Sequence, residues 1–528
     1  MEQTTDAAAD ERAATRPNAP RRYGLSKSKI TAFEQCPRKL WLSKHKPEVA
    51  HVDDGAEARF ATGHEVGDLA CSLLPSGVMV EAEPDLAAAV TRTRELIEAG
   101  WSEPIFEATF EHEGVLVRVD VLSPGADGWA IAEVKSSAGV KDYHLGDLAT
   151  QVWVLTQAGA PVSSACIRHI DSGFRLEREG DYQGLFRDED RLDVLADRIA
   201  DRSRIVAEAR AVLEGDEPEV GTGDHCSRPF ACEFSPYCTR NDPPGPEWPI
   251  SLLPRTGRTL AALWAEEGLF DLRDLPPGAL ANDVDERVRQ ATTTGEVYHD
   301  RQGAIEATRA WAWPRAYLDF ETIGPAVPRW IGARPYQQIP FQFSCHIESE
   351  AGELAHTGFL SIDGDDPRRA CAEALVRHLS GDLCGSIVAY NAAFEKRCVR
   401  DLAEVFPDLA GALLEIEAKI VDLLPVTRNT YYHRDQRGSW SIKAVLPTVA
   451  PELAYGDLDV KDGGAAQQAW FEAARPETSA ARREQLRVGL EAYCERDTEA
   501  MIVLLRRLTE AQAQAQVQAP DAPSPAPS

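Results

Sequence analysis

At 528 residues the chain is too long for one ordinary core, so two or three domains are expected. A hydrophobic fraction of 43% with 7% aromatic residues fits a globular protein; no apolar run approaches a membrane span, and the first residues lack the apolar stretch of a signal peptide, which predicts a cytoplasmic protein with no membrane partner. A net charge of −29 argues against sequence-independent coating of DNA. It leaves room for carboxylate metal sites served by a local basic strip: Arg21, Arg22, Lys27, Lys29, Arg38, Lys39, Lys44 and Lys46 face only Glu34 and Glu48. Eleven cysteines in a cytoplasmic chain read as thiols or metal ligands, not as a disulfide framework.

Residues 1–20 lack periodicity and are expected to be disordered. Residues 21–240 predict an α+β domain. It has a helix from Ser28 to Ser43, a helical stretch in GHEVGDLACSLL, and a meander of PIFEATFEHE, GVLVRVDVLS and GWAIAEVKSS. The helix LGDLATQVWVLTQAG follows, with Leu145, Leu148, Val152 and Leu155 on one side. The breaker-rich NDPPGPEWP at 241–249 opens a helical connector to about residue 310, where Leu260, Leu263, Trp264 and Leu269 have helical spacing. Residues 311–510 again begin with strands, RAYLDFET, IPFQFSCHIES and AHTGFLSI, followed by helix, strand and helices, the order of a ribonuclease-H-like layered fold. The low-complexity tail from 511 is expected to be disordered.

Alternate strand residues share a face. In the first domain this puts Glu133 with Lys135, and places Asp120 opposite Val117, Val119 and Val121. Neighbouring strands would then gather Glu107, Asp120, Glu133 and Lys135. Such groups on a half-buried sheet are costly unless they bind something, and paired carboxylates suit Mg²⁺ or Mn²⁺. The alternative is an amphipathic hairpin with a solvated polar face. D-x(12)-E-V-K, with His64 of GHEVG before it and Gln151 after it, resembles the RecB-like branch of the PD-(D/E)xK nucleases, as does the opening LSKSKITAFEQCPRKLWL. The resemblance implies a restriction-endonuclease-like domain in which His64, Asp120 and Glu133 ligate metal, Lys135 is catalytic and Gln151 orients the site. Leu155 stands where that family often has Tyr.

HCSRPFACEFSPYC supplies Cys226, Cys232 and Cys238 in a Pro- and aromatic-rich loop, poorly explained as core filling. Thiolates suit iron–sulfur or zinc, and Cys36 is the candidate fourth ligand. One Cys before and three after the domain core resemble the iron–sulfur nucleases related to AddB and to CRISPR-associated RecB-like proteins, which implies a [4Fe–4S] cluster. Zinc and plain thiols stay open.

In the last domain Asp319 and Glu321 share a strand face, Glu395 opens a helix after SIVAY, and Tyr493 and Asp497 lie one helical turn apart. Carboxylates in such a set can hold two divalent ions for phosphodiester hydrolysis; a Tyr one turn from an Asp is also a common surface pairing. The order D-x-E, YNAAFE and Y-x₃-D resembles the DnaQ-like DEDD exonucleases of the tyrosine subtype. That implies Asp319, Glu321, Glu395 and Asp497 as metal ligands and Tyr493 as the group positioning water, with Glu395 replacing the usual Asp. VDLLPV, with Asp422, and SWSIKAVLP also resemble segments of that fold. The whole arrangement resembles the bacterial family called domain of unknown function 2779. The expectation is a metal-dependent nuclease acting on DNA or RNA, with DNA the favoured partner, a 3′–5′ exonuclease site in the C-terminal domain and a RecB-like nuclease in the N-terminal domain. The rival expectations are a non-catalytic nucleic-acid-binding protein with degenerate sites and an Fe–S redox or iron sensor.

Overall fold

A computed structural model describes residues 24–51, 55–254 and 257–510. The segments expected to be disordered, and Arg21 and Arg22 of the basic strip, lie outside these residues. The chain is mixed α/β and forms two compact units, residues 1–174 with 180–241, and residues 175–179 with 242–528. No helix among the described residues is long and apolar enough to cross a membrane.

The first unit is built on a seven-stranded sheet. Its strands are β1 (Leu25–Ser26), β2 (Val78–Met79), β3 (Ile105–His112), β4 (Val115–Gly125), β5 (Gly128–Lys135), β6 (Val162–Ile170) and β7 (Phe186–Asp190). They run in the order β2-β3-β4-β5-β6-β7, with β1 parallel to β4. The predicted meander is β3–β5. The helix Asp142–Gln157 crosses the sheet and buries Leu148, Val152 and Leu155 against Val117 and Val119. The opposite face carries a small cluster of Phe106, Val121 and Ala132. Val121 therefore does not share a face with Val117 and Val119 as strict alternation predicted. The cause is local: Glu107 takes a left-handed φ of 54°, and the β3–β4 ladder passes from Phe106↔Val121 to Ala108↔Val119 without pairing it.

The helix expected from Ser28 to Ser43 is two helices, Lys27–Gln35 and Pro37–His45. Pro37 has no amide hydrogen to continue the first helix and is well placed at the start of the second. Cys36 is the joint, extended at φ −164° and buried.

The second unit centres on a five-stranded sheet made of β9 (Arg315–Ile323), β10 (Ile339–Glu348), β11 (Leu354–Leu360), β12 (Ser386–Ala389) and β13 (Ile420–Asp422). The order is β11-β10-β9-β12-β13, antiparallel across the first three strands and parallel across the last three. A two-stranded ladder joins β8 (Tyr298–His299) to β14 (Tyr431–Tyr432). One sheet face buries Leu318, Phe320 and Phe343 against Leu375, Val399 and Leu402. The other carries the helix Ala480–Thr509.

The segment expected as a connector shares a core with this sheet's surroundings. Trp248, Leu272 and Val288 pack in one cluster with Tyr317, Leu423 and Tyr432. Gly438 marks how closely the chains approach: its φ is +78°, and a Cβ there would overlap the carbonyl oxygen of Leu252. Gly438→Ala should therefore destabilise the second unit by about 3 kcal/mol, read as an earlier urea midpoint for its unfolding. An unchanged midpoint would show that this approach contributes nothing to the unit's stability.

Candidate metal centres

In the first unit β4 and β5 part where the site begins. Their ladder ends at Val121↔Ala132, and the amide of Val134 donates instead to Asp120 Oδ2 at 2.7 Å. Glu133 sits beyond this split, 2% exposed. Its Oε1 accepts from Lys135 Nζ at 2.8 Å and from Lys27 Nζ, and its Oε2 accepts from Gln151 Nε2 at 2.5 Å. Lys135 also donates to Asp147 Oδ2 at 2.9 Å, and Asp147 Oδ1 accepts from Thr31 at 2.7 Å.

Electrostatics separate the two central carboxyls. Burial pushes Asp120 up to about 7, reinforced by the charge of Glu133. Burial would raise Glu133 too, but Lys27 and Lys135 more than offset it and hold it well below the usual carboxylate range. Burial opposes the charge on both lysines, yet the surrounding carboxylates hold each above the ordinary lysine value. Removing one partner from such a buried pair typically costs about 3–5 kcal/mol, so the lysines contribute to the stability of this unit as well as to any chemistry.

Asp120, Glu133, Lys135 and Gln151 thus come together as the sequence suggested. His64 lies exposed on the helix Ala56–Ser72, outside the hydrogen-bonded group around Glu133. Glu107 is engaged by Arg118 at 2.9 Å. Sequence reasoning missed Lys27 and Asp147. Asp147 had a signal, since it lies one helical turn before Gln151. Lys27 was assigned to the basic strip, but turns inward. Much of the rest of that strip is also paired internally: Arg38 and Lys46 bind Glu217, and Lys39 binds Glu233.

Cys36, Cys226, Cys232 and Cys238 line one small cavity. The loop, and the stretch just before it, reach the two opening helices through hydrogen bonds. Gln35 Nε2 donates to the carbonyls of His225 and Phe230, both at 2.8 Å, and Trp41 Nε1 donates to that of Gly215 at 3.0 Å. The Cys226 carbonyl accepts from the Cys232 amide at 2.8 Å. Burial raises the Cys232 and Cys238 thiols, and the neighbouring Cys226 adds to both shifts.

In the second unit Asp319, Glu321 and Asp497 offer ligand atoms all within 4.8 Å of one another. They line a cavity of about 380 Å³ with Glu395, Lys443 and Tyr493. β9 supplies the first two carboxylates by alternation, and the long helix supplies Tyr493 and Asp497 one turn apart. Glu395 lies in the first turn of the helix Ala393–Val405, after Asn391 in a left-handed turn at φ 71°. Asp422 holds that turn: its Oδ1 accepts from the amides of Asn391 and Leu424, both at 3.0 Å.

Burial and mutual repulsion raise these carboxyls together. Asp319 is pushed well up by burial, then by Asp497, Glu321 and Glu395. Burial and Asp497 push Glu321 up to about 8, and burial, with a smaller contribution from the charge of Asp422, pushes Glu395 up to about 8. Among the described residues, Glu395 Oε2 is buried without a hydrogen-bond partner. Tyr493 is buried, and its hydroxyl accepts from Lys443 Nζ at 2.9 Å. Tyr455, which the sequence did not single out, donates to Asp497 Oδ1 at 2.5 Å. The Cys494 thiol lies 3.8 Å from Asp319 Oδ2.

Residues 316–441 match the family described as Domain of unknown function (DUF2779). Two curated relatives are similar over part of their length. The uncharacterized protein MG366 of Mycoplasma genitalium is 22% identical over 212 residues, which cover 36% of this chain and 31% of that protein. Its homolog in Mycoplasma pneumoniae is 26% identical over 210 residues, with the same coverage. The chain thus spans about a third of the length of the relatives it matches.

The raised carboxyls give the second unit a defined pH response. Glu321 and Glu395 would bind protons in the folded protein up to about pH 8, whereas the unfolded values lie near 4.5. The folded state holds more protons across that window, so stability falls as pH rises through it. In chelator, the melting temperature of this unit should fall between about pH 5 and 8, and Mg²⁺ or Mn²⁺ should flatten the fall. A profile that rises with pH would mean that other groups dominate.

Proposed function

We propose that the chain is a metal-dependent nuclease whose working exonuclease site is the carboxylate cluster of the second unit. One comparison carries this reading. In the second unit four carboxylates crowd one cavity with one lysine, Lys443. In the first unit three carboxylates meet two lysines, so their charge is nearly balanced. Such a surplus is relieved by protons, as the raised Glu321 and Glu395 indicate, or by bound cations, and an all-oxygen ligand set suits Mg²⁺ or Mn²⁺.

The strand order, the D-x-E pair on β9, Glu395 and the Tyr493–Asp497 turn support a ribonuclease-H-like fold of the DnaQ type. Asp319, Glu321 and Asp497 would hold the cations, with Glu395 across the cavity. Bound divalent ions supply Lewis acidity to the scissile phosphate and to water. Tyr493 positions that water through its hydroxyl. Lys443 fixes the phenol and keeps its oxygen an acceptor. Tyr455 holds Asp497 in register. The predicted reaction removes nucleotides from 3′ ends, with DNA the proposed substrate.

The split β4–β5 edge, Glu133, Lys135 and Gln151 support a RecB-like, restriction-endonuclease-like reading of the first unit. The lysine-neutralised Glu133 favours a second reading there, in which this unit binds nucleic acid without cutting it. The four thiols fit a bound [4Fe–4S] cluster that ties the opening helices to the 226–238 loop. A single zinc ion draws its thiolates to within about 4 Å of one another. The tight three-ligand groups among the described residues, with atoms inside 4.8 Å, are elsewhere.

Digestion of 5′-labelled single strands in Mg²⁺ and Mn²⁺ tests the main reading. Wild type should shorten strands stepwise from the 3′ end, Asp319→Ala should lose activity on the order of 10³-fold, and Lys135→Ala should keep it. If Lys135→Ala is the variant that loses it, the working site is in the first unit. If wild type and Asp319→Ala digest alike, the second site is not a nuclease. For the cluster, Cys232→Ser purified anaerobically should lose iron and acid-labile sulfide relative to wild type. Iron-free wild type carrying zinc would decide for zinc instead.

A further inference from the structure

The helix that carries Tyr493 and Asp497 presents a second set of ligand groups. Glu495 lies between them in sequence, about 200° round the helix from each. It meets His346 on β10 and His356 on β11, and the three offer ligand atoms all within 4.8 Å of one another. His356 Nδ1 is 3.9 Å from Glu495 Oε1, and the two imidazole rings lie 4.6 Å apart.

The hydrogen bonds behind these rings settle which nitrogens face the group. The Thr498 hydroxyl donates to the Glu495 carbonyl at 2.9 Å, so its oxygen is left to accept. It accepts from His346 Nδ1 at 2.8 Å and from the Ser344 hydroxyl at 2.9 Å. With its proton committed, Ser344 Oγ accepts from His356 Nε2 at 2.9 Å. Ser344 and Thr498 are both buried, so water does not compete for these bonds. The lone pairs left free are His346 Nε2 and His356 Nδ1. An imidazole whose second nitrogen donates to a fixed acceptor is the arrangement found behind metal-ligating histidines.

We propose that His346, His356 and Glu495 form a site for one divalent transition ion of the zinc class, separate from the carboxylate cluster. Two imidazoles and one carboxylate select a borderline ion over Mg²⁺. The exposure of His356 and Glu495 leaves a coordination position for water. The ion clasps the β10–β11 hairpin to the long helix, and so fixes the helix that presents Tyr493 and Asp497 to β9. This site does not rest on the nuclease reading.

The test is zinc binding to the full chain, measured as metal retained after desalting and as the zinc-dependent rise in melting temperature. Wild type should retain one more zinc than His356→Gln and Glu495→Gln, with affinity at least about 10-fold higher. Glu491→Gln, at an exposed position of the same helix, should behave as wild type. The substituted groups are exposed, which favours folded variants, and Glu495→Gln provides a check independent of the imidazoles. Equal zinc content and equal thermal response in all four proteins would overturn the proposal. So would loss of the effect in a further variant, Asp319→Asn, but not in these, which would place the zinc among the carboxylates.

Discussion

Four largely buried carboxyls lining one cavity are the constraint around which the second unit is arranged. Without partners, their repulsion and desolvation would favour a different packing. The neighbours are fitted to it: Tyr455 donates to Asp497, Lys443 approaches Tyr493, and the Cys494 thiol backs Asp319. The helix Ala480–Thr509 can hold two of these groups against β9 because its neighbours anchor it. Leu490 and Tyr493 pack with Phe341 and Trp470, while Met501, Leu504 and Leu505 join the core shared with residues 248–311. The segment that reads as a connector is in this sense part of the support for the site.

The first unit meets a similar difficulty by another route. Its carboxyls are fewer, and cations from its own chain reach them: Lys27 from the opening helix and Lys135 from β5. Gln151 adds a neutral donor from the helix behind. Two helices converge on Glu133 of β5, so the buried charge pins helices to sheet. This is also why the thiol loop matters mechanically. It fastens the first opening helix from its other end through Gln35, while the stretch just before the loop holds the second opening helix through Arg38 and Trp41.

Much of this was legible because period carries position. Alternation on RAYLDFET, the four-residue step from Tyr493 to Asp497, and the run of leucines in Asp142–Gln157 each fix a face without reference to the rest of the chain. What escaped depended on long-range geometry. Lys27 reads as one more surface lysine until β1 and its helix are docked beside β5. Tyr455 sits in an irregular stretch with no period to mark it. The break at Cys36 was visible in its Pro37, but the helical pattern on both sides hid it. The face change at Val121 follows from a backbone distortion at Glu107, a residue that shows no turn chemistry.

The hydrogen bond from the Val134 amide to Asp120 has a consequence for reading related sequences. Asp120 stands in for a missing rung of the sheet. Its loss would leave an amide with no partner at the point where the strands separate, whatever the unit does with metal or nucleic acid. A lineage that abandoned chemistry in this unit would still be under pressure to keep an oxygen acceptor there. Persistence of an Asp or Asn at this position is therefore weak testimony to activity. Glu133 is held only by side chains that could be exchanged together with it, so its retention is the more telling trace of a working site.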